Sequence, residues 1–199
     1  MDINKISYNR ITERWADSRN KSSPSKFIIG FSSKIKPNGK ILDIGCGTGY
    51  PIIKYFSDNG FSITGIDISE NMIKKAIEQD YKNATFHLCD FFEYEPIEKY
   101  DGIVAYDSFF HFPKEKQKEI YKIVSNWINI GGYFLFTHGN EDGEIEGNMF
   151  GEKFYYSSLN TKEVHKLLLE YGFEIEMSIE KYKDENMDID LVIMARKII

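Results

Sequence analysis

The stretch Lys40-Ile41-Leu42-Asp43-Ile44-Gly45-Cys46-Gly47-Thr48-Gly49-Tyr50 constrains the fold more than any other part of the chain. A short apolar run, suited to a buried strand, passes into three glycines at alternate positions. Residues 51–57 are then compatible with a helix that starts at once. Glycine is needed where backbone turns through positive φ or approaches a ligand closely. A helix that opens behind such a turn presents unpaired N–H groups and the positive end of its dipole. The combination predicts a nucleotide-type ligand site, built from backbone as much as from side chains.

Around this stretch, strand and helix patterns alternate. Strands are expected at residues 61–67, 84–88, 100–106 and 133–138, and helices at 51–57, from Ser69 to about Asp80, and at 114–128. Ser69 has the side chain of a helix cap. Asn129-Ile130-Gly131-Gly132 reads as a turn before the fifth strand. Such alternation predicts an α/β fold, a doubly wound, mostly parallel sheet with helices on both faces. Residues 1–37 read as an N-terminal helical arm, with helical spacing over 6–15, a break at Ser22 to Ser25 and a second helix over 27–35. Residues 139–160 lose all periodicity and read as a long Gly- and acid-rich substrate-side loop. A helix over 161–171, with Gly172 as its C-terminal cap, and strands over 173–181 and 189–196 complete the chain. The polar Lys183-Asp184-Glu185-Asn186 joins those two strands. With 199 residues and no repeat or linker, a single domain spanning 1–199 is expected.

Charge and composition narrow the partners. The formal net charge is −6 and no basic run exists, which argues against nucleic acid. No charged-then-apolar leader and no apolar run of membrane-span length occurs, so a cytoplasmic protein without a membrane partner, as monomer or homodimer, is expected. Cys46 and Cys89 lack metal-ligand spacing, and neither a zinc site nor a disulfide framework is expected. Fifteen Phe and thirteen Tyr serve either a well-filled core or an aromatic pocket.

Asp43, Asp67, Asp90 and Asp107 fall at or near the ends of successive strands. Ligands of open α/β sheets bind outside the carboxyl ends of the strands, so these acids are expected in one crevice. Asp67 ends the second strand about twenty residues past the glycines, where a carboxylate grips ribose hydroxyls. An acid at a strand end also serves as a plain turn or helix cap, and that reading stays open for each.

These motifs together resemble a known family. Asp43-Ile44-Gly45-Cys46-Gly47-Thr48-Gly49 looks like the first motif of class I S-adenosylmethionine-dependent methyltransferases. Gly65-Ile66-Asp67-Ile68-Ser69 resembles their second-strand motif and Cys89-Asp90-Phe91 their third. Tyr100-Asp101-Gly102-Ile103-Val104 and Ile130-Gly131-Gly132-Tyr133-Phe134 resemble the fourth and fifth. All lie in family order and spacing over roughly residues 38–199. The resemblance implies a seven-stranded sheet of order 3-2-1-4-5-7-6 with the last strand antiparallel, and S-adenosyl-L-methionine as cofactor. It further implies that Gly45, Cys46, Gly47, Gly49 and Tyr50 flank the cofactor's methionine part and that Asp43 approaches its amino group. Asp67 would take the ribose, Ile68 and Met72 the adenine ring, and Asp90 the adenine amino group with Phe91 beside it. Tyr106 would lie under the methionine. Phe91 and Met72 equally suit core packing.

On the acceptor side, His111, Asp107 and His138 are the candidate catalytic groups, since histidine titrates near neutrality and an acceptor that must lose a proton needs a base. Each histidine also suits a structural hydrogen bond. Phe110, Tyr155 and Tyr156 are candidates for an acceptor pocket, with a hydrophobic staple before the next helix as the alternative. Tyr8, Trp15 and Arg19 of the arm are candidates to close over the cofactor, Arg19 pairing with its carboxylate. No second and third metal ligand accompanies Asp107, so metal-free methyl transfer to the O or N of a small molecule is expected. Three rivals stand beside it: a protein or RNA acceptor, a non-catalytic cofactor-binding regulator, and a nicotinamide-dependent oxidoreductase. The last is disfavoured because the glycines run G-x-G-x-G and no substrate domain follows.

Overall fold

The computed structural model describes residues 3–19, 22–183 and 188–199. Its centre is a sheet in which β1 (Lys40–Ile44) lies between β2 (Ser62–Asp67) and β4 (Tyr100–Ala105), parallel to both. β3 (Ala84–Leu88) extends one edge in parallel. Beyond β4 come β5 (Ile128–His138), then β9 (Asp188–Lys197) and β8 (Phe173–Lys183). β9 runs antiparallel to both of its neighbours. The order β3-β2-β1-β4-β5-β9-β8 is the expected topology; the final pair carries higher numbers because a hairpin intervenes. Asp184, Glu185 and Asn186 of the anticipated link between the final strands lie outside the described residues.

The strands read as apolar runs rather than alternations because both sheet faces are covered. On one face α5 (Glu119–Trp127) and α6 (Thr161–Glu170) bury Tyr121, Val124 and Leu168 against Phe134 and Phe136, whose rings stack at 4.5 Å. On the other, α2 (Lys26–Ser32) and α3 (Ile52–Asp58) bury Phe31, Ile53 and Phe56 against Ile41 and Leu135. Ser69 caps α4 (Glu70–Glu78) through the Met72 N–H, and Asn160 caps α6 through the Glu163 N–H. Gly172, at φ +76°, follows α6 as anticipated.

Three expectations change. Residues 139–160 are not a structureless loop: β6 (Gly143–Met149) and β7 (Glu152–Ser158) form an antiparallel hairpin closed by Phe150 and Gly151. Both turn residues have positive φ, +52° and +82°, the backbone of a two-residue hairpin turn. A phenylalanine at the first turn position and an exposed acidic strand, Glu144 and Glu146, hid the pattern. The Asn129 to Gly132 segment is not a turn before β5 but an irregularity inside it, between pairs Tyr100–Ile128 and Gly102–Tyr133. The helix expected at 114–128 begins only at Glu119, preceded by a short 3₁₀ turn, Lys114–Lys116.

The arm has the two anticipated helices, and the first, α1 (Ile3–Arg19), is longer than its apolar spacing showed. Its buried face carries Asn4, Ser7, Ile11, Thr12 and Ala16, so polar groups rather than a hydrophobic stripe dock it. Ser7 donates to the Lys153 carbonyl at 2.5 Å, and the Asn4 amide brackets Tyr155, donating to its carbonyl at 2.9 Å and accepting from its N–H at 2.8 Å. On the opposite flank the Asn9 carboxamide oxygen accepts from the Asn71 N–H and the Ser69 hydroxyl, both at 2.9 Å. Thus α1 spans from the hairpin to the start of α4 and roofs the carboxyl ends of the central strands. Among the described residues no helix is long and apolar enough to cross a membrane.

Candidate functional site

Beneath α1 lies a cavity of about 840 Å³. Its floor is the carboxyl end of the parallel sheet, where chain direction brings successive strand ends together. Asp43, Gly45, Cys46, Gly47, Gly49 and Tyr50 line it from β1 and the following turn. Asp67, Ile68 and Met72 line it from β2 and α4. Asp90 and Phe91 follow β3, and Tyr106 and Asp107 follow β4. Every residue assigned to the floor by motif is therefore present at one cavity.

The turn is fastened from several sides. Gly45 sits at φ +73°, and a Cβ there would stand 2.4 Å from the Ser108 Cβ. Ser108 itself donates to the Ile44 carbonyl at 2.7 Å, so the segment after β4 is clamped onto the glycine turn. Asp67 accepts from the Gly47 N–H at 2.9 Å and from the Ser69 N–H at 2.8 Å, one bond to each oxygen. A carboxylate has about four lone-pair sites, so Asp67 retains capacity to accept from a ligand hydroxyl. Asp90 accepts from the Phe92 N–H at 2.8 Å and caps a short 3₁₀ turn, so the cap reading and the cavity reading both hold for it. Phe91 and Met72 likewise do both: each is nearly sealed, at 4% and 1% exposure, and each still touches the cavity.

Electrostatically the floor is poised for positive charge and donors. Burial, and then the charge of Asp67, pushes Asp43 up to about 8. Burial raises Asp67 as well, opposed by its backbone N–H bonds. Burial carries the Cys46 thiol well above its ordinary value, leaving it a small, inert group against the turn. A ligand bringing an ammonium and paired hydroxyls meets what these two carboxylates lack.

The roof supplies a stripe at helical spacing, Asn4, Tyr8, Trp15 and Arg19, all lining the cavity. The three arm residues anticipated to close over the cofactor are all at the cavity. Tyr8 Oη lies 2.8 Å from His111 Nε2, and His111 Nδ1 lies 3.0 Å from the Tyr155 carbonyl oxygen. A carbonyl only accepts, so Nδ1 carries the proton and Nε2 receives the Tyr8 hydroxyl. Burial, then the charge of Asp67, lifts the Tyr8 phenol well above 10. Arg19 stacks on Trp15 at 4.4 Å and pairs with Asp107 at 3.3 Å.

His138 is not at the cavity. It is 2% exposed, bonded to Gln117 and the Gly139 carbonyl, and burial lowers it to about 4. The reason is direction: near the end of β5 its side chain faces the α5 layer, where Gln117 and Ser157 anchor the hairpin. Phe110, Tyr155 and Tyr156 do not line the cavity either. Phe110 and Tyr156 pack around His111, with ring centroids 4.8 and 4.9 Å from it. The Tyr155 hydroxyl turns outward to Glu144 at 2.9 Å, while its backbone carbonyl does the work of orienting His111. Asn4, Asn9 and Ser108 escaped sequence reading. The spacing of Asn4 to Tyr8, Trp15 and Arg19 was a usable signal for the first; nothing local marks the others. Among the described residues no group of His, Cys, Asp or Glu is arranged to hold a metal ion.

Comparison with known proteins agrees with this geometry. A family model described as a methyltransferase domain matches residues 35–190. The chain belongs to the methyltransferase family. Among relatives, a carboxy-S-adenosyl-L-methionine synthase of Campylobacter fetus is 30% identical over 110 residues, covering 53% of this chain and 47% of that protein. Rabbit (Oryctolagus cuniculus) glycine N-methyltransferase is 25% identical over 173 residues, covering 74% of this chain and 57% of that protein. The methyltransferase-family chain thus spans about half the length of these two curated relatives. Of solved structures, the 1,6-didemethyltoxoflavin-N1-methyltransferase of Burkholderia thailandensis, with S-adenosylhomocysteine bound, shares the fold at a TM-score of 0.73 and 16% identity, covering 99% of this chain and 88% of that one.

Proposed function

We propose that this methyltransferase-family chain uses S-adenosyl-L-methionine to methylate an N or O atom of a small molecule. The observation that carries the reading is the cavity beneath α1, with a carboxylate and glycine floor on one side and the Tyr8–His111 pair on the other. The floor fits the cofactor by its donor and acceptor set. The Asp67 carboxylate lines the cavity with acceptor capacity for ribose hydroxyls, and Asp43 stands where an ammonium satisfies a buried acid. Arg19 offers a guanidinium fork to a carboxylate. The relatives named for glycine and for didemethyltoxoflavin act, by their names, on small molecules.

When bound, the cofactor supplies an electrophilic methyl on a sulfonium. The protein's task is then to hold the acceptor in line at about 3 Å and to take up any proton that it loses. Tyr8 is too weak an acid to ionise alone. It serves as a conduit, accepting the acceptor's proton on Oη while its own passes to His111 Nε2. The Tyr155 carbonyl, itself held by the Asn4 amide, keeps His111 in the tautomer that this requires. Roofing by α1 keeps water from the reacting methyl.

Thermal-shift titration tests the cofactor reading: stabilisation by S-adenosylhomocysteine and none by NAD is expected, and the reverse result overturns it. His111→Ala should lower homocysteine-releasing turnover about a hundredfold, the lower range for a lost acid–base group. Its S-adenosylhomocysteine affinity should stay within about twofold, as it makes no floor contact. Unchanged turnover removes His111 from the mechanism.

A further inference from the structure

We propose that Asp107 is the group that seats the methyl acceptor, and that the acceptor is therefore an amine, held as its ammonium, rather than an alcohol, phenol or thiol. This rests on the cofactor reading above. Asp107 follows β4 with its backbone in the left-handed region, at φ +58°. Aspartate enters that region more readily than most residues, and five other non-glycine residues of the chain do so away from the cavity, so what matters at Asp107 is how the conformation is held. Here the imposing groups are identifiable. The Asp107 N–H donates to Thr137 Oγ1 at 2.7 Å, and that hydroxyl lies 3.3 Å from Asp107 Oδ1. Thr137 is 1% exposed, so the clamp is fixed by the core. Arg19 completes it at Oδ2.

The charges of the cavity lead to the same residue. Asp43, Asp67 and Asp90 stand at the ends of β1, β2 and β3, where the cofactor reading employs them. Asp188 lines the opposite end and is paired with Lys183 at 2.8 Å. Asp107 is left, on the β4 side, near enough to Tyr8 for its charge to act on the phenol. Arg19 does not exhaust it: the guanidinium has five N–H donors and can hold a cofactor carboxylate and Asp107 together. The Asp107 side chain stays 32% exposed in this pairing and lines the cavity.

An alcohol at Asp107 gains a hydrogen bond assisted by the carboxylate's charge alone, whereas an ammonium adds the attraction of two opposite charges to the same bond. The aromatic rings of Tyr8 and Tyr106 line the same cavity and suit a cation further. The relay then balances. One N–H proton of the ammonium passes to Tyr8 Oη as the Tyr8 proton passes to His111 Nε2. The freed nitrogen lone pair forms the N–C bond to the methyl carbon while the C–S pair stays on sulfur, leaving a neutral thioether. His111, now an imidazolium, returns its proton to solvent.

Sinefungin tests the seat without knowledge of the acceptor, because it places a carbon-bound ammonium where the cofactor carries its methyl. By calorimetry, wild-type protein should bind sinefungin about tenfold more tightly than S-adenosylhomocysteine, as expected for one added charge-assisted bond. Asp107→Asn should reduce that ratio to within about twofold, and Thr137→Val, which only loosens the clamp, to an intermediate value. An undiminished ratio in both variants overturns the inference. Failure of wild-type protein to bind either compound overturns the cofactor reading instead. A panel of primary and secondary amines with their matched alcohols, followed by homocysteine release, gives the second arm: turnover confined to alcohols overturns the amine assignment.

Discussion

The floor and the roof of the cavity are built on different principles. The floor is local: glycines, a following helix and one acid per strand end, all within short segments that the parallel sheet brings into line. The roof is assembled from afar. Asn4 reaches Tyr155, Ser7 reaches Lys153, Asn9 reaches Ser69 and Asn71, and Arg19 reaches Asp107. A floor residue acts through what it shows a ligand. A roof residue acts through how firmly α1 is held over that ligand. Loss of a floor group should therefore remove binding, whereas loss of a roof group should shorten residence.

The largest effect is expected at Gly45. Alanine there combines a positive φ with a 2.4 Å encounter with Ser108, so the turn and the clamp after β4 cannot both persist. Gly45→Ala should weaken S-adenosylhomocysteine binding by about a hundredfold or more, given a strain of a few kcal/mol. Near-normal affinity by calorimetry would break the idea that the floor is shape-limited.

The next concerns charge. Asp43 stays protonated in the empty site up to about pH 8, because burial and Asp67 raise it. A cationic amino group needs the ionised form, so affinity for S-adenosylhomocysteine should rise with pH between about 6 and 8, at most tenfold per unit, with proton release in buffers of different ionisation enthalpy. The sign for the empty protein is opposite. Its unfolded chain ionises Asp43 near 3.8 and its folded state only near 8, so this group subtracts stability progressively as pH rises through that window. Asp43→Asn should flatten both dependences; a slope retained in the variant would assign it elsewhere.

The smallest concerns the roof. Asn9→Ala removes the acceptor for the Asn71 N–H and the Ser69 hydroxyl, bonds of about 1 kcal/mol each. Dissociation of S-adenosylhomocysteine, followed by stopped-flow, should quicken about threefold to tenfold with association little changed. An equal loss in both rates would mean that roof and floor are one unit, and the contrast drawn here would fail.

Legibility follows the same division. Asp67, Asp90 and the glycine turn were readable because chemistry and spacing sit within a few residues. Tyr8, Trp15 and Arg19 were readable as candidates on a helical arm, although the arm's docking was not, since the buried face of α1 is polar. The hairpin was misread for want of apolar alternation in β6 and because Phe150 fills a turn position usually taken by asparagine or glycine. His138 and His111 looked equivalent in sequence, each following a strand rich in aromatics. Only the fold separates them, by sending one side chain into the α5 layer against Gln117 and the other to Tyr8 at the cavity.

The sequence by itself determined the layered α/β architecture, its strand order through resemblance, and which residues gather at the cavity floor, because those depend on periodicity and on motifs that carry their own backbone geometry. Tertiary structure alone decided that Tyr8 meets His111 across 103 positions, that Tyr155 contributes a carbonyl rather than a hydroxyl, and that Thr137 and Arg19 fix Asp107. Such pairings join side chains from distant segments. Their partners are chosen by how whole elements pack, which no local pattern of residues encodes.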